Sequence, residues 1–350
     1  VVMSHRGRPD GEADPNLSLR PVAAALSELL GADVAFVPDC IGVVAEAAVG
    51  MLPPRGVALL ENLRFHEGET ANSATFALRL SVLGDIYVND AFSCAHRAHA
   101  STAAITDILP PFAGPSMISE ISALTRALDA PQRPVAAIVG GAKVSSKIAV
   151  LEHLVSRMNA LVIGGGMANT FLAAQGHAVG ASLQEAGMHA TALRILERAE
   201  ACGCEILLPH DVIVADRFAP DAETMSVPVA VIPDGWMALD IGPATLAALI
   251  EKLSGFRTLL WNGPLGAFEM PAFAGGTIAL ALAAAERTEA RQLVSVAGGG
   301  DTVAALNMAG VAGQFTYLST AGGAFLEWLE GKTLPGVAAL TLSEPQFMEA

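Results

Sequence analysis

A chain of 350 residues with 52% hydrophobic and 16% charged residues is long enough for two domains with full cores and too apolar to be disordered. Its net charge of -15, with a pI near 4.9, sets aside a nucleic-acid binder, which usually carries the opposite sign. Cys40, Cys94, Cys202 and Cys204 show neither zinc spacing nor a disulfide framework, and no signal peptide is visible, so a cytoplasmic setting is expected.

Along the chain, Val1–Ser4 reads as the end of a strand whose beginning is missing, which suggests a fragment. Leu17–Leu30 is predicted helical, with Leu19, Val22, Ala23, Leu26, Leu29 and Leu30 at helical spacing. Strand Val34–Val37, helix Ile41–Met51, strand Val57–Leu60, helix Thr75–Leu83 and strand Ile86–Asn89 come next. Such alternation predicts a mostly parallel sheet. Proline-rich breaks at 110–115 and 129–134 bracket a helix over Ser119–Leu128, a candidate interdomain connector. Beyond it, five apolar runs each end in a glycine-rich turn that opens a helical pattern. They are Val135–Val139, Leu161–Ile163, Thr258–Trp261, Leu293–Val296 and Phe315–Leu318. The uncharged stretch Met158–Gln184 invites a membrane reading, but Gly164-Gly165-Gly166 and Asn169 interrupt it, and a buried strand, turn and helix explain it better. No membrane partner is expected.

The two halves differ in the residues placed just past their strands. The first half puts cations there: His5, Arg6 and Arg8, then Arg64 and His66, then His96, Arg97 and His99. Guanidiniums suit bidentate binding of carboxylate or phosphate, although solvated loop charges would look alike one at a time. The second half puts glycines there, so backbone N–H groups and helix starts should crowd one sheet edge and favour phosphates. Lys143 and Lys147, four apart, are expected on one helical face beside phosphate oxygens, though surface helices carry such pairs too. Gly298-Gly299-Gly300-Asp301-Thr302 would let the backbone approach an anion, with Asp301 either on Mg²⁺ or an ordinary helix cap. Glu269 could accept from ribose hydroxyls or be an exposed loop acid. Neither a Walker A loop nor a G-x-G-x-x-G fingerprint is present, which argues against an oxidoreductase on a similar sheet.

Together these residues resemble a known family. Ser4-His5-x-Gly7-Arg8-Pro9, Glu61-Asn-Leu-Arg-Phe65, Val88-Asn-Asp-Ala-Phe92 with Ala95-His-Arg-Ala-His99, and Gly141-Ala-Lys-Val144 with Lys147 are similar to phosphoglycerate kinase motifs. So are Gly164–Met167, Trp261–Pro264 with Phe268-Glu269, Gly298–Thr302 and Leu334–Val337, all in family order. The resemblance implies an α/β fold of two Rossmann-like three-layer domains with mainly parallel sheets, joined by a hinge helix that lets them close. Residues 1–115 with 325–350 would form the 3-phosphoglycerate domain, 116–133 the connector, and 134–324 the nucleotide domain. It implies reversible Mg²⁺-dependent phosphoryl transfer between ATP and 3-phosphoglycerate, as in glycolysis, gluconeogenesis or carbon fixation. His5, Arg8, Arg64 and Arg97 would bind 3-phosphoglycerate. Gly141, Lys147, Gly164, Gly165, Asn262, Glu269, Gly298, Gly299, Gly300, Asp301 and Thr302 would bind the nucleotide, with Asp301 on Mg²⁺. Lys143, Lys147, Gly299 and Gly300 would serve the transfer itself. Members are usually monomeric, so a monomer is expected.

Three features depart from the family pattern. The opening Arg-Val-Asp-x-Asn strand and a later arginine have no counterpart, so an inactive nucleotide-binding fragment is the alternative reading for the chain as given. Arg6 stands where an apolar residue is usual. Ala321 stands in a turn where glycine is common, which would stiffen a hinge if its φ is negative and strain it if positive.

Overall fold

The structure is a computed structural model that describes residues 1–341. Two compact units are present: Val1–Ile118 with the described residues from Thr333 onward, and Ser119–Lys332.

In the first unit, β1 (Val34–Val37) pairs in parallel with β2 (Val57–Leu60), and β3 (Tyr87–Asn89) pairs in parallel with β4 (Pro111–Ala113). The strand expected over Val1–Ser4 is reduced to one bridge, Val2 to Leu59. Beyond it the backbone tracks the segment after β2, with Leu63 N–H donating to Ser4 C=O at 3.2 Å. Val37, Leu60, Phe76, Leu80, Tyr87 and Ile105 share one buried cluster. The first predicted helix begins later, at Arg20–Leu30, after a 3₁₀ turn Pro15–Leu17 that Asp14 caps. Only Leu19 and Ala23 of its apolar positions are buried, against Leu59, Val34 and Phe36, while Leu29 stays exposed. The other two predicted helices appear as Val43–Gly50 and Ala74–Ser81, inside the predicted ranges to within a residue, and the short helix Glu67–Thr70 lies outside any predicted range.

In the second unit, β5 (Val135–Val139), β6 (Ala160–Ile163) and β7 (Glu205–Leu207) join β11 (Thr258–Asn262), β12 (Val294–Gly298) and β13 (Tyr317–Ser319). β8 (Asp211–Ala215), β9 (Thr224–Pro228) and β10 (Met237–Ile241) stand apart from them. The six-stranded parallel sheet runs β13-β12-β11-β5-β6-β7, so the five glycine turns share one edge. β5 and β11 are buried throughout, as continuous apolar runs covered on both faces should be. The antiparallel sheet β10-β8-β9 is a departure from the uniform βα pattern expected here. Its signal is weak because β9 is short, mostly exposed and closes on Pro228, and Asp240 interrupts the apolar run of β10.

The bounds of the two units also differ from those expected. The chain over 325–332 belongs with the second unit, because Phe325 is fully buried against Gly298 at the end of β12. Of the expected tail 325–350, residues 342–350 lie outside the described residues. The helix expected over Ser119–Leu128 spans Pro115–Leu124 and continues as a π turn over Thr125–Asp129. Ala321 is not among the residues with positive φ, so its turn carries no left-handed strain.

Candidate active site

In the first unit the cations converge. Arg64 sits in the 3₁₀ turn Leu63–Phe65, just past β2, where the Asn62 side chain accepts from the Arg64 N–H at 3.1 Å. The same Asn62 donates to Arg6 C=O (2.7 Å) and Leu17 C=O (3.0 Å), tying this turn to the segment that carries His5 and Arg8. Arg64 is 7% exposed and donates from Nη1 to Gly7 C=O at 2.7 Å, while its buried Nε has no protein acceptor. Burial lowers the Arg64 pKa, as do the nearby charges of Arg97 and Arg8. His5 is held at a pKa of about 4, first by burial and then by Arg64 and Arg97, so its ring is neutral at pH 7. His5, Arg8, Arg64 and Arg97 therefore share one electrostatic field. A cavity of about 800 Å³ opens beside them, lined by His5, Glu69, Asn89, His99 and Ser101; the three arginines stand outside its lining. Crowding cations without a matching set of carboxylates is unfavourable unless an anion completes the site.

In the second unit a pocket of about 540 Å³ lies at the glycine edge. Gly141, Gly165, Glu269 and Asp301 line it, with Leu239 and Leu265 as apolar walls. The antiparallel sheet supplies Val212, Met237, Ala238 and Asp240 to the lining, a contribution the sequence did not suggest. Asp240 is buried there, and its carboxylate accepts from Ile241 N–H and Gly276 N–H at 2.9 and 2.8 Å. Burial pushes its pKa up to about 7 against those two donors.

Several expectations about the glycine turns need correcting. Only the turns after β6, β12 and β13 lead directly into helices, at Gly165–Ala174, Gly300–Met308 and Gly323–Leu329. The turn after β5 passes first through a 3₁₀ turn, Val144–Ser146, and the one after β11 runs on as a loop. Many N–H groups are already engaged. Gly140 N–H donates to Asn262 C=O, Gly164 N–H to Val139 C=O, and Gly165 N–H to Leu265 C=O. Gly165 has φ +67°, and a Cβ there would lie 2.7 Å from Gly141 O, so this crossing of two turns requires glycine. The helix start at Gly300 keeps the anion-binding character, since first-turn N–H groups lack intrahelical acceptors.

Lys143 and Lys147 do not share a helical face. The turn Val144–Ser146 separates them, because Glu185 accepts from Ser145 N–H at 2.9 Å and bends the segment. Lys143 is exposed. Lys147 is turned inward, donating to Gly140 C=O (2.7 Å), Asn262 C=O (3.1 Å) and Asn262 Oδ1 (2.7 Å). All three ammonium protons thus have acceptors, and burial lowers its pKa to about 8. Asn262 in turn donates to Gly298 C=O at 2.8 Å, and Gly263 N–H donates to Thr302 Oγ1 at 2.7 Å. Gly164, Asn262, Gly298, Gly299, Gly300 and Thr302, like both lysines, are not among the residues that line the pocket.

An α/β unit with a glycine-walled pocket ending at a helix start, and another with a cluster of unmatched cations, are the equipment of a small-molecule kinase. Residues 1–332 match the family model described as Phosphoglycerate kinase. The chain is 60% identical over 340 residues to the phosphoglycerate kinase of Azorhizobium caulinodans and 58% identical over 340 residues to that of Rhizorhabdus wittichii. Each match covers 97% of this chain and 86% of the relative. The solved phosphoglycerate kinase of Coxiella burnetii superposes with a TM-score of 0.89 at 43% identity, covering 97% of this chain and 85% of that one. That of Pyrococcus horikoshii gives 0.75 at 30% identity, covering 96% and 85%. The chain belongs to the phosphoglycerate kinase family and is a phosphotransferase, a kinase of glycolysis.

Proposed function

We propose that the first unit binds 3-phosphoglycerate through His5, Arg8, Arg64 and Arg97, and that the second binds ATP through the pocket closed by Asp301. The reading is supported above all by the buried Arg64, which carries one unpartnered donor beside other cations. The acceptor carboxylate is already a nucleophile and needs no general base. Its oxygen attacks the γ-phosphorus, the bond to the β,γ-bridging oxygen breaks, and ADP leaves, giving 1,3-bisphosphoglycerate. Catalysis is then in-line positioning and neutralisation of charge on the transferred group.

The exposed Lys143 ammonium and the N–H groups of Gly299 and Gly300 at the helix start would stabilise the transferring phosphoryl group. Lys147 would act by holding Asn262 and the turns after β5 and β11, unless nucleotide binding releases it toward the phosphates. Glu269 would accept from the ribose. An exposed carboxylate lining a phosphate pocket is a hard oxygen donor of the kind Mg²⁺ takes alongside nucleotide oxygens, so Asp301 fits that ion. Bound there, the ion would offset charge on the phosphates. A cytoplasmic monomer acting without nucleic acid or membrane completes the reading; among the described residues no helix is long and apolar enough to cross a membrane. A binding protein without turnover is not favoured, since the family match runs across both units.

A coupled assay of ATP-dependent 3-phosphoglycerate phosphorylation, run with and without Mg²⁺, tests this. Turnover that needs all three components supports it; ATP binding without turnover refutes the catalytic reading.

A further inference from the structure

Directly behind the cation cluster lies a carboxylate that sequence reasoning did not select. Glu69, in the short helix Glu67–Thr70, is 2% exposed. A buried carboxylate is costly unless its oxygens are well used. Those of Glu69 are used on one loop. Oε1 accepts from Ser101 Oγ at 2.6 Å, and Oε2 accepts from Ser101 N–H at 3.0 Å. The backbone adds a third tie, Ala100 N–H to Glu69 C=O at 3.0 Å. His99 Nδ1 stands 3.6 Å from Oε1.

The captured loop is the one that presents Arg97. Thr102 Oγ1 accepts from His99 N–H at 3.2 Å and lies 3.2 Å from Arg97 C=O, so the segment from Arg97 to Thr102 closes on itself. No lysine or arginine comes within ion-pair distance of Glu69 among the described residues; its charge acts through space on His5 and Arg64, opposing the mutual repulsion of the cations. Glu69 and His5 line the same cavity.

We propose that Glu69 is a positioning residue for 3-phosphoglycerate. It fixes the loop 97–102 through Ser101, and so sets where Arg97 stands relative to His5 and Arg64. This inference rests on the assignment of the cation cluster to 3-phosphoglycerate.

The test is calorimetric titration of the full chain with 3-phosphoglycerate and, separately, with ADP, for Glu69→Ala, Glu69→Gln, Ser101→Ala and Arg97→Ala, with the melting temperature of each. A hydrogen bond from a guanidinium to an anion is worth roughly 10- to 100-fold in affinity, so Glu69→Ala, by misplacing Arg97, is expected to weaken 3-phosphoglycerate binding by up to roughly that factor. ADP binding should not change. Glu69→Gln should recover most of the loss, because its amide can accept from Ser101 N–H and donate to Ser101 Oγ. If Glu69→Ala does not fold, Ser101→Ala decides: weaker 3-phosphoglycerate binding with unchanged ADP binding is expected, and unchanged binding of both overturns the proposal. Equal weakening of both ligands would mark a general structural role and also overturn it. Should Arg97→Ala weaken 3-phosphoglycerate binding while Glu69→Ala and Ser101→Ala do not, the positioning role fails and the site assignment stands. Should Arg97→Ala have no effect, the site assignment itself fails.

Discussion

Gly299 and Gly300 are neighbours at one helix start, yet the structure demands opposite responses to the same substitution. Gly299 has φ +98°, and a Cβ there would lie 2.7 Å from Asn262 Nδ2. Asn262 is 3% exposed and cannot swing away freely, because Nδ2 holds Gly298 C=O and Oδ1 receives the Lys147 ammonium. Gly299→Ala therefore combines backbone strain of about 1–3 kcal/mol with the loss of a buried hydrogen bond, about 1 kcal/mol. Their sum is a destabilisation of roughly 2–4 kcal/mol. Gly300 is not among the residues with positive φ and has nothing within 4 Å of an added Cβ. It is the first residue of its helix, so Gly300→Ala should stabilise by about 0.5–1 kcal/mol through the unfolded chain. Urea unfolding measures both, with an unchanged slope showing that the transition remains comparable. Titration with ADP gives the second readout. Gly299→Ala should weaken ADP about tenfold for each 1.4 kcal/mol that falls on the bound state, with 3-phosphoglycerate binding unaffected. A Gly299→Ala protein as stable as its parent, or a Gly300→Ala protein as damaged as Gly299→Ala, would refute the reasoning.

Lys147→Ala strips three acceptors of their donor and should cost about 1–3 kcal/mol of stability and weaken ADP, leaving 3-phosphoglycerate binding intact. Arg97→Ala should do the reverse, and equal loss of both ligands in either variant contradicts the two-site assignment. The His5 ring should titrate near pH 4 by NMR and move upward when an anionic ligand binds, since a nearby negative charge favours the protonated form. Because its folded value lies below the ordinary 6.5, His5 contributes a loss of stability as pH falls from about 6.5 toward 4, which His5→Gln should remove. Asp301→Asn should blunt the enhancement of ADP binding by Mg²⁺ while sparing metal-free ADP; an unchanged enhancement places the ion elsewhere.

The features legible in the sequence were local. Strands such as Val135–Val139 and Val57–Leu60 are continuous apolar runs bounded by turn residues, and both appear with the expected bounds. Cations and glycines could be placed past strand ends by the same logic. The features that stayed hidden depend on partners distant in sequence. The spacing of Lys143 and Lys147 fits a helix, but Asn262, 115 residues further on, supplies acceptors that turn Lys147 inward, and Glu185 holds Ser145 in the intervening turn. Glycine turns promise free N–H donors, yet Gly140 and Gly164 spend theirs on the last residues of neighbouring strands and Gly165 on a neighbouring turn. Their glycines serve close backbone approach at least as much as ligand binding. Glu69 is the clearest case. In sequence it is one acid in Glu67-Gly-Glu-Thr70, indistinguishable from a solvated helix face. Only the return of the chain at Ser101, 32 residues later, converts it into a buried anchor. A residue whose function lies in holding another residue carries no motif of its own, so it can be found only once the fold has brought the pair together.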